Sequence, residues 1–174
     1  MRHHAYRIAN TVHNEDIAAH LCNLIFGNRD KKKLTKSKFW TADAKVNNPG
    51  TKKSQSRVAI DRFTGGSIEA ALFSTEPAWP TKNTTVTLTW ILKAVSDNDA
   101  ENDAAIGLLL LVARDLMTEM LAIGGDKAIG RGRFKKISYN FILKEKECKD
   151  DDNIEMLDEF IEVFLNYKNN KGNE

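Results

Sequence analysis

The chain has 174 residues, 41% of them hydrophobic, which is the size of one domain with enough apolar side chains to bury a core. Its longest apolar run, 104–113, is interrupted by Gly107 and falls far short of the roughly 20 residues a bilayer span requires, so a soluble, cytoplasmic protein is expected. The two cysteines, Cys22 and Cys148, form no Cys-x-x-Cys pair, so neither a disulfide framework nor a zinc site is legible, and the net charge of +2 averages over segments of opposite sign.

Ala5, Ile8 and Val12 recur at helical spacing, and Asn14 followed by Glu15 and Asp16 reads as an N-cap with an acidic first turn. The second helix carries Ile17, Leu21, Leu24 and Ile25 on one side and ends at Gly27. His13 and His20 share a direction, but no further ligands accompany them, so packing or surface positions are the expectation. A basic stretch follows over 29–57, where Lys31, Lys32 and Lys33 stand out against only Asp30 and Asp43. By itself such a run is as consistent with a solvated face as with an anion site.

Residues 36–46 turn toward strand composition, and Asn47-Asn48-Pro49-Gly50 is a loop signal that Lys52 to Ser56 prolong. Residues 57–63 and 67–73 flank Gly65-Gly66 and read as a β-hairpin, with a short helix over 68–72 as the competing reading. Pro77 and Pro80 frame Trp79 in an irregular segment, and 84–94 is the clearest strand. Residues 97–103 read as a polar connection to a buried helix over 104–123, stopped by Gly124-Gly125. A strand over 134–143 and an amphipathic helix over 154–167 with an acidic back complete the chain.

The most informative segment is 123–135, IGGDKAIGRGRFK, where a helix runs into a glycine-rich basic loop and then a strand. Glycines let a backbone approach a phosphate chain, and Lys127, Arg131 and Arg133 supply charge, so the loop reads as a cradle for a phosphodiester backbone. For Gly124 alone a helix C-cap is the simpler account. The dinucleotide fingerprint is excluded, because G-x-G-x-x-G follows a strand and opens a helix, the reverse of the order here.

The loop, of form IGG-x-x-x-x-G-x-G-R before the last core strand, resembles the signature of the RAMP (repeat-associated mysterious protein) superfamily of CRISPR proteins. MRHHAYRIA resembles the first helix of these domains. LIFGNRDKKKLTKSKFWTADAKV resembles their Leu-Phe-Gly segment and the strand after it, and RVAIDRFTGGSIEAALFSTEPAW the hairpin of type III backbone subunits. The resemblance covers residues 2 to about 143. It implies an α+β fold, an RRM/ferredoxin-like core with a β-hairpin thumb insertion and an additional C-terminal helix, divided as a RAMP-like RNA-binding domain over 1–149 and an acidic helix and tail over 150–174. It also implies a guide-RNA-binding subunit of a type III-like CRISPR interference complex, with CRISPR guide RNA, paired target RNA and other effector subunits as partners.

The expected RNA contacts are Gly124, Gly125, Lys127, Gly130, Arg131, Gly132 and Arg133 in the loop, Arg57, Arg62, Phe63 and Thr64 in the hairpin, and Lys31, Lys32 and Lys33. Phe63, Phe73 and Trp79 are candidates for stacking on bases, with core packing an equal account of each. Family members begin with a strand and an aspartate-bearing loop ahead of the first helix, whereas this chain opens within that helix at Met1-Arg2-His3-His4. The expectation is a domain incomplete at its N-terminus, a fragment, a mis-called start or half of a split subunit, with its missing strand supplied by another subunit or by a separated upstream segment. The competing reading is a RAMP endoribonuclease that cleaves target RNA or processes CRISPR RNA. Asp43, Asp61 and Asp126 are the acids embedded in the basic motifs, of which Asp61 and Asp43 are its catalytic candidates, and a divalent metal is required only in that case. Asp61 has an alternative role in orienting its neighbours Arg57 and Arg62.

Overall fold

The computed structural model describes residues 1–28, 34–135, 140–143, 146–149 and 154–168. In chain order its elements are α1 (Arg2–Val12), α2 (Glu15–Phe26), β1 (Phe39–Thr41), β2 (Lys45–Asn47), β3 (Thr51–Lys52), β4 (Gln55–Ile60), β5 (Ser67–Thr75), β6 (Ala78–Trp79), β7 (Thr85–Thr87), β8 (Trp90–Leu92), α3 (Asp99–Met117), β9 (Asn140–Leu143), β10 (Lys146–Lys149) and α4 (Ile154–Leu165). This is a mixed α+β chain whose described strands pair two by two. No helix among the described residues is long and apolar enough to cross a membrane. The chain divides into two compact units, Met1–Trp40 with Leu92–Glu174, and Thr41–Ile91.

The first unit is organised by its helices, which hold most of the buried residues described, with Phe39 of β1 and Val95 beside them. Asn14 caps α2 by accepting the Ile17 N–H at 2.9 Å, and Ala18, Leu21, Cys22 and Ile25 face inward against Ala5 and Ala9 of α1. At Gly27 (φ 77°) a side chain would collide with the backbone of Thr35 and Ser37, so glycine permits both the turn and the close return of the chain. Arg2 locks this corner by donating to the Gly27 carbonyl at 2.6 Å and to Asn23 Oδ1 at 2.8 Å. Burial pushes the Cys22 thiol up to about 11, with Arg2 opposing weakly.

Helix α3 departs from the sequence expectation at both ends. The polar residues 97–103 are mostly its cap and first turn: Asn98 accepts the Ala100 N–H at 2.9 Å, and Asn102 Oδ1 accepts from Val95 N–H at 2.7 Å. It ends at Met117, before Gly124-Gly125, where Thr118 leaves the helix to form a β-bridge with Lys135 and Glu119 adopts φ 64°. The apolar residues 120–123 extend the helical pattern, and the tertiary bridge overrides it. Gly107, within α3, faces α4 so closely that a Cβ would collide with the Phe160 carbonyl. Histidines join these helices. His13 Nε2 donates to the Phe164 carbonyl at 2.8 Å with its ring edge-on to Phe164, and His20 Nε2 lies 3.1 Å from the buried Glu101 carboxylate. Tyr167 Oη lies 3.5 Å from the same carboxylate, and burial, followed by Glu101, pushes its pKa up to about 12. Strands β9 and β10 form an antiparallel hairpin. Of the strand expected over 134–143, Lys135 forms only the isolated bridge, β9 begins at Asn140, and 136–139 lie outside the described residues.

The second unit is a sequence of nested antiparallel ladders: β2 pairs with β7, β3 with β6 and β4 with β5. The hairpin expected over 57–73 is therefore the distal part of a longer arm, and the reading of 68–72 as helix gives way to β5. The segment around Trp79, expected to be irregular, contributes β6, whose partner Thr51–Lys52 lies in the expected loop. The strand expected over 84–94 is two strands, because β7 pairs with β2 whereas β8 pairs with β1. Strand propensity in that segment reports extended backbone and carries no information about a change of partner. No residue in 41–91 is buried.

Candidate nucleic-acid interface

The glycine-rich loop leaves α3 at Thr118 and returns at Lys135, and it is closed by its own backbone. Besides the Thr118–Lys135 bridge, the Ile123 N–H donates to the Gly132 carbonyl at 3.0 Å, and a one-turn 3-10 segment, Lys127–Ile129, sits at the far end. Asp126 and Gly130 flank that turn in left-handed conformations (φ 57° and 84°).

The glycines separate by role. A Cβ at Gly132 would collide with the Ile123 carbonyl, so Gly132 closes the loop. Gly124 and Gly130 have positive φ and face open space. Gly125 has neither a positive φ nor any atom within 4 Å of where its Cβ would lie, so the chain's own fold does not require glycine there. A bare backbone facing solvent, beside a lysine, admits close approach by another molecule.

The cations separate likewise. Lys127 is exposed, and its side chain has no hydrogen bond or ion pair among the described residues. Arg131, expected to be a free phosphate ligand, has its guanidinium 2.5 Å from the Asp126 carboxylate. Arg133 donates to the carbonyl of Glu119, the left-handed residue just past α3. Asp126 was legible only as an acid within a basic motif, and the Glu119 carbonyl has no signature in sequence at all.

In the second unit the hairpin tip carries Phe63, 99% exposed. The tip is held by Asp61: its Oδ1 accepts the Phe63 N–H at 2.9 Å, its Oδ2 accepts the Thr64 hydroxyl at 3.0 Å, and Gly65 N–H donates to its carbonyl at 2.9 Å. These bonds, that from Phe63 N–H foremost, hold the Asp61 carboxyl below its usual range. Asp61 thus orients the turn, where sequence suggested that it orients Arg57 and Arg62; Arg57 donates to Gln55 Oε1 at 3.2 Å, and Arg62 is exposed. Val58 stands opposite Leu72 on one hairpin face, and both are exposed, as are Ile60, Phe73 and Trp79. Of the two accounts of Phe63, Phe73 and Trp79, core packing is the one the structure removes.

Asp43 is exposed in the connection between β1 and β2. Among the described residues no three His, Cys, Asp or Glu side chains come together as a metal cage would require. Lys31, Lys32 and Lys33 lie outside the described residues. On either side of them Asn28 and Thr35 are joined by two hydrogen bonds, of 2.8 and 3.1 Å.

The first unit thus carries a bare, basic glycine loop, and the second a hairpin with exposed apolar side chains. The family model of the RAMP superfamily matches residues 1–135, and the chain belongs to that superfamily. The match takes in α1 through the glycine loop and leaves out β9, β10 and α4. No curated protein matches the chain. Membership carries a CRISPR-associated role with it.

Proposed function

We propose that the chain is an RNA-binding subunit of a type III-like CRISPR effector complex, holding guide RNA, paired with target, as one of several related subunits. The carrying observation is Gly125 beside Lys127: backbone left bare toward solvent, with a lysine that has no partner of its own among the described residues. The hairpin contributes Phe63, Arg62 and the Val58–Leu72 face to nucleobases, which stack on aromatic and apolar surface without regard to sequence. In this reading the helices and their strands form an RRM-like core, with the hairpin arm as its thumb. Two-stranded ladders are marginal in water, so strands donated by neighbouring effector subunits would extend them. Nuclease activity is the less favoured reading, since Asp61, its leading acid, has both carboxylate oxygens engaged in a turn.

Binding of a single-stranded RNA by the purified chain, or by the complex containing it, is expected to weaken linearly in log–log form with salt. Lys127→Ala should flatten that slope by about 0.7, the contribution of one single-strand phosphate contact. An affinity indifferent to salt in a filter-binding titration would overturn the reading.

A further inference from the structure

The Asp126–Arg131 pair is not needed to shape the loop it lies in. Closure comes from the Ile123–Gly132 hydrogen bond and the Thr118–Lys135 bridge, and the 3-10 turn is held by Ile129 N–H to the Asp126 carbonyl and Gly130 N–H to the Lys127 carbonyl, each at 3.1 Å. All of these are backbone interactions. The ion pair is added to a lobe already fixed, and both of its side chains are partly exposed. Asp126 reaches Arg131 from a left-handed backbone position that few residues other than glycine, asparagine and aspartate adopt readily. A carboxylate and a phosphate diester present a guanidinium with the same kind of acceptor, two oxygens sharing one negative charge.

We propose that Asp126 is an internal competitor for Arg131: its carboxylate occupies the guanidinium in the free protein and must be displaced before Arg131 engages an RNA phosphate. This rests on the RNA-binding reading and adds a control to it. The exchange also leaves the carboxylate, parted from Arg131, close to a polyanion, so Asp126 opposes binding in both states. Lys127, next along the chain and without an ion-pair partner among the described residues, makes first contact, and Arg131 follows only where the phosphate chain displaces the acid.

The test uses a fluorescently labelled single-stranded RNA and anisotropy at one fixed salt concentration. Asp126→Asn removes the charge while retaining a residue suited to the left-handed backbone. It should tighten binding about twofold to fivefold, the range a partly exposed ion pair supports. In an Arg131→Ala background the same change should tighten binding by clearly less, because no ion pair remains to break and only the repulsion between carboxylate and phosphate is relieved. Asp158→Asn on the exposed face of α4 controls for net charge and should leave affinity unchanged. Binding that is unchanged or weaker in Asp126→Asn overturns the proposal, as does tightening of the same size in the Arg131→Ala background. An unaltered protein that binds no RNA sinks the RNA-binding reading and this one together, whereas a binding wild type with an indifferent Asp126→Asn sinks only this one.

Discussion

Single residues in this chain are engaged by their neighbours in ways that spacing does not reveal. The glycine loop was legible because glycine and arginine alternate in it, but which arginines are already paired was not, since Asp126 reaches Arg131 only through a left-handed turn and Arg133 reaches a backbone carbonyl. Asp61 shows the same limit. Sequence put it between two arginines, while the fold turns its oxygens to Phe63 N–H and the Thr64 hydroxyl. That arrangement carries a pH signature. The folded carboxyl titrates below its ordinary value of 3.8, so its support for the turn is present above that value and is lost as pH falls through the depressed folded one. The Phe63 amide resonance should therefore move in a titration centred below pH 3.8 and stay flat in Asp61→Asn. A midpoint at or above the ordinary value would show that the turn does not hold the charge.

Elements were legible where their signals are local. Asn14 and Gly27 delimit α2, and Gly65-Gly66 places the hairpin turn, because caps and turns are fixed by residues adjacent in sequence. The ends of α3 and the division of 84–94 are set by distant partners, Lys135 in one case and the switch from β2 to β1 in the other, so composition could not locate them. The role of Gly107 is also tertiary. In sequence it only interrupts an apolar run, whereas in the fold it lets α4 approach α3 until the Phe160 carbonyl leaves no room for a Cβ. Alanine favours a helix over glycine by about 1 kcal/mol, but overpacking a close helix pair costs about 1–3 kcal/mol. Gly107→Ala should consequently destabilise the first unit by up to about 2 kcal/mol in urea denaturation followed by circular dichroism. A gain in stability would mean that the helices are free to separate at no cost.

At the scale of the whole chain, the buried residues described are confined to one unit: Met1–Trp40 with Leu92–Glu174 holds them all, most in its helices, and 41–91 holds none. Residues without a core are secured by hydrogen-bonded ladders alone and open locally at low free energy. Limited proteolysis should cut first within 41–91 and leave the helices intact, and bound RNA should slow those cuts without altering later ones. Early cleavage within α1, α2 or α3 would contradict this division. The α+β class was legible from the order of elements, and the family from motifs spread across the chain. The absence of buried positions in the arm was not, since Val58, Ile60, Leu72 and Phe73 have the composition of an ordinary strand interior.

That absence bears on how the chain can change over generations. A substitution at a buried position is filtered first by whether the protein still folds, so its history records packing more than use. Positions 41–91 escape that filter, since no side chain there is enclosed. Any restriction on their variation must come from what they touch outside the chain, or from turn residues such as Gly50 and Gly65 that the backbone itself demands. The arm is thus free to drift in identity while keeping its pattern of exposed apolar and basic residues, and a constrained side chain on it would mark a point of contact with something outside the chain.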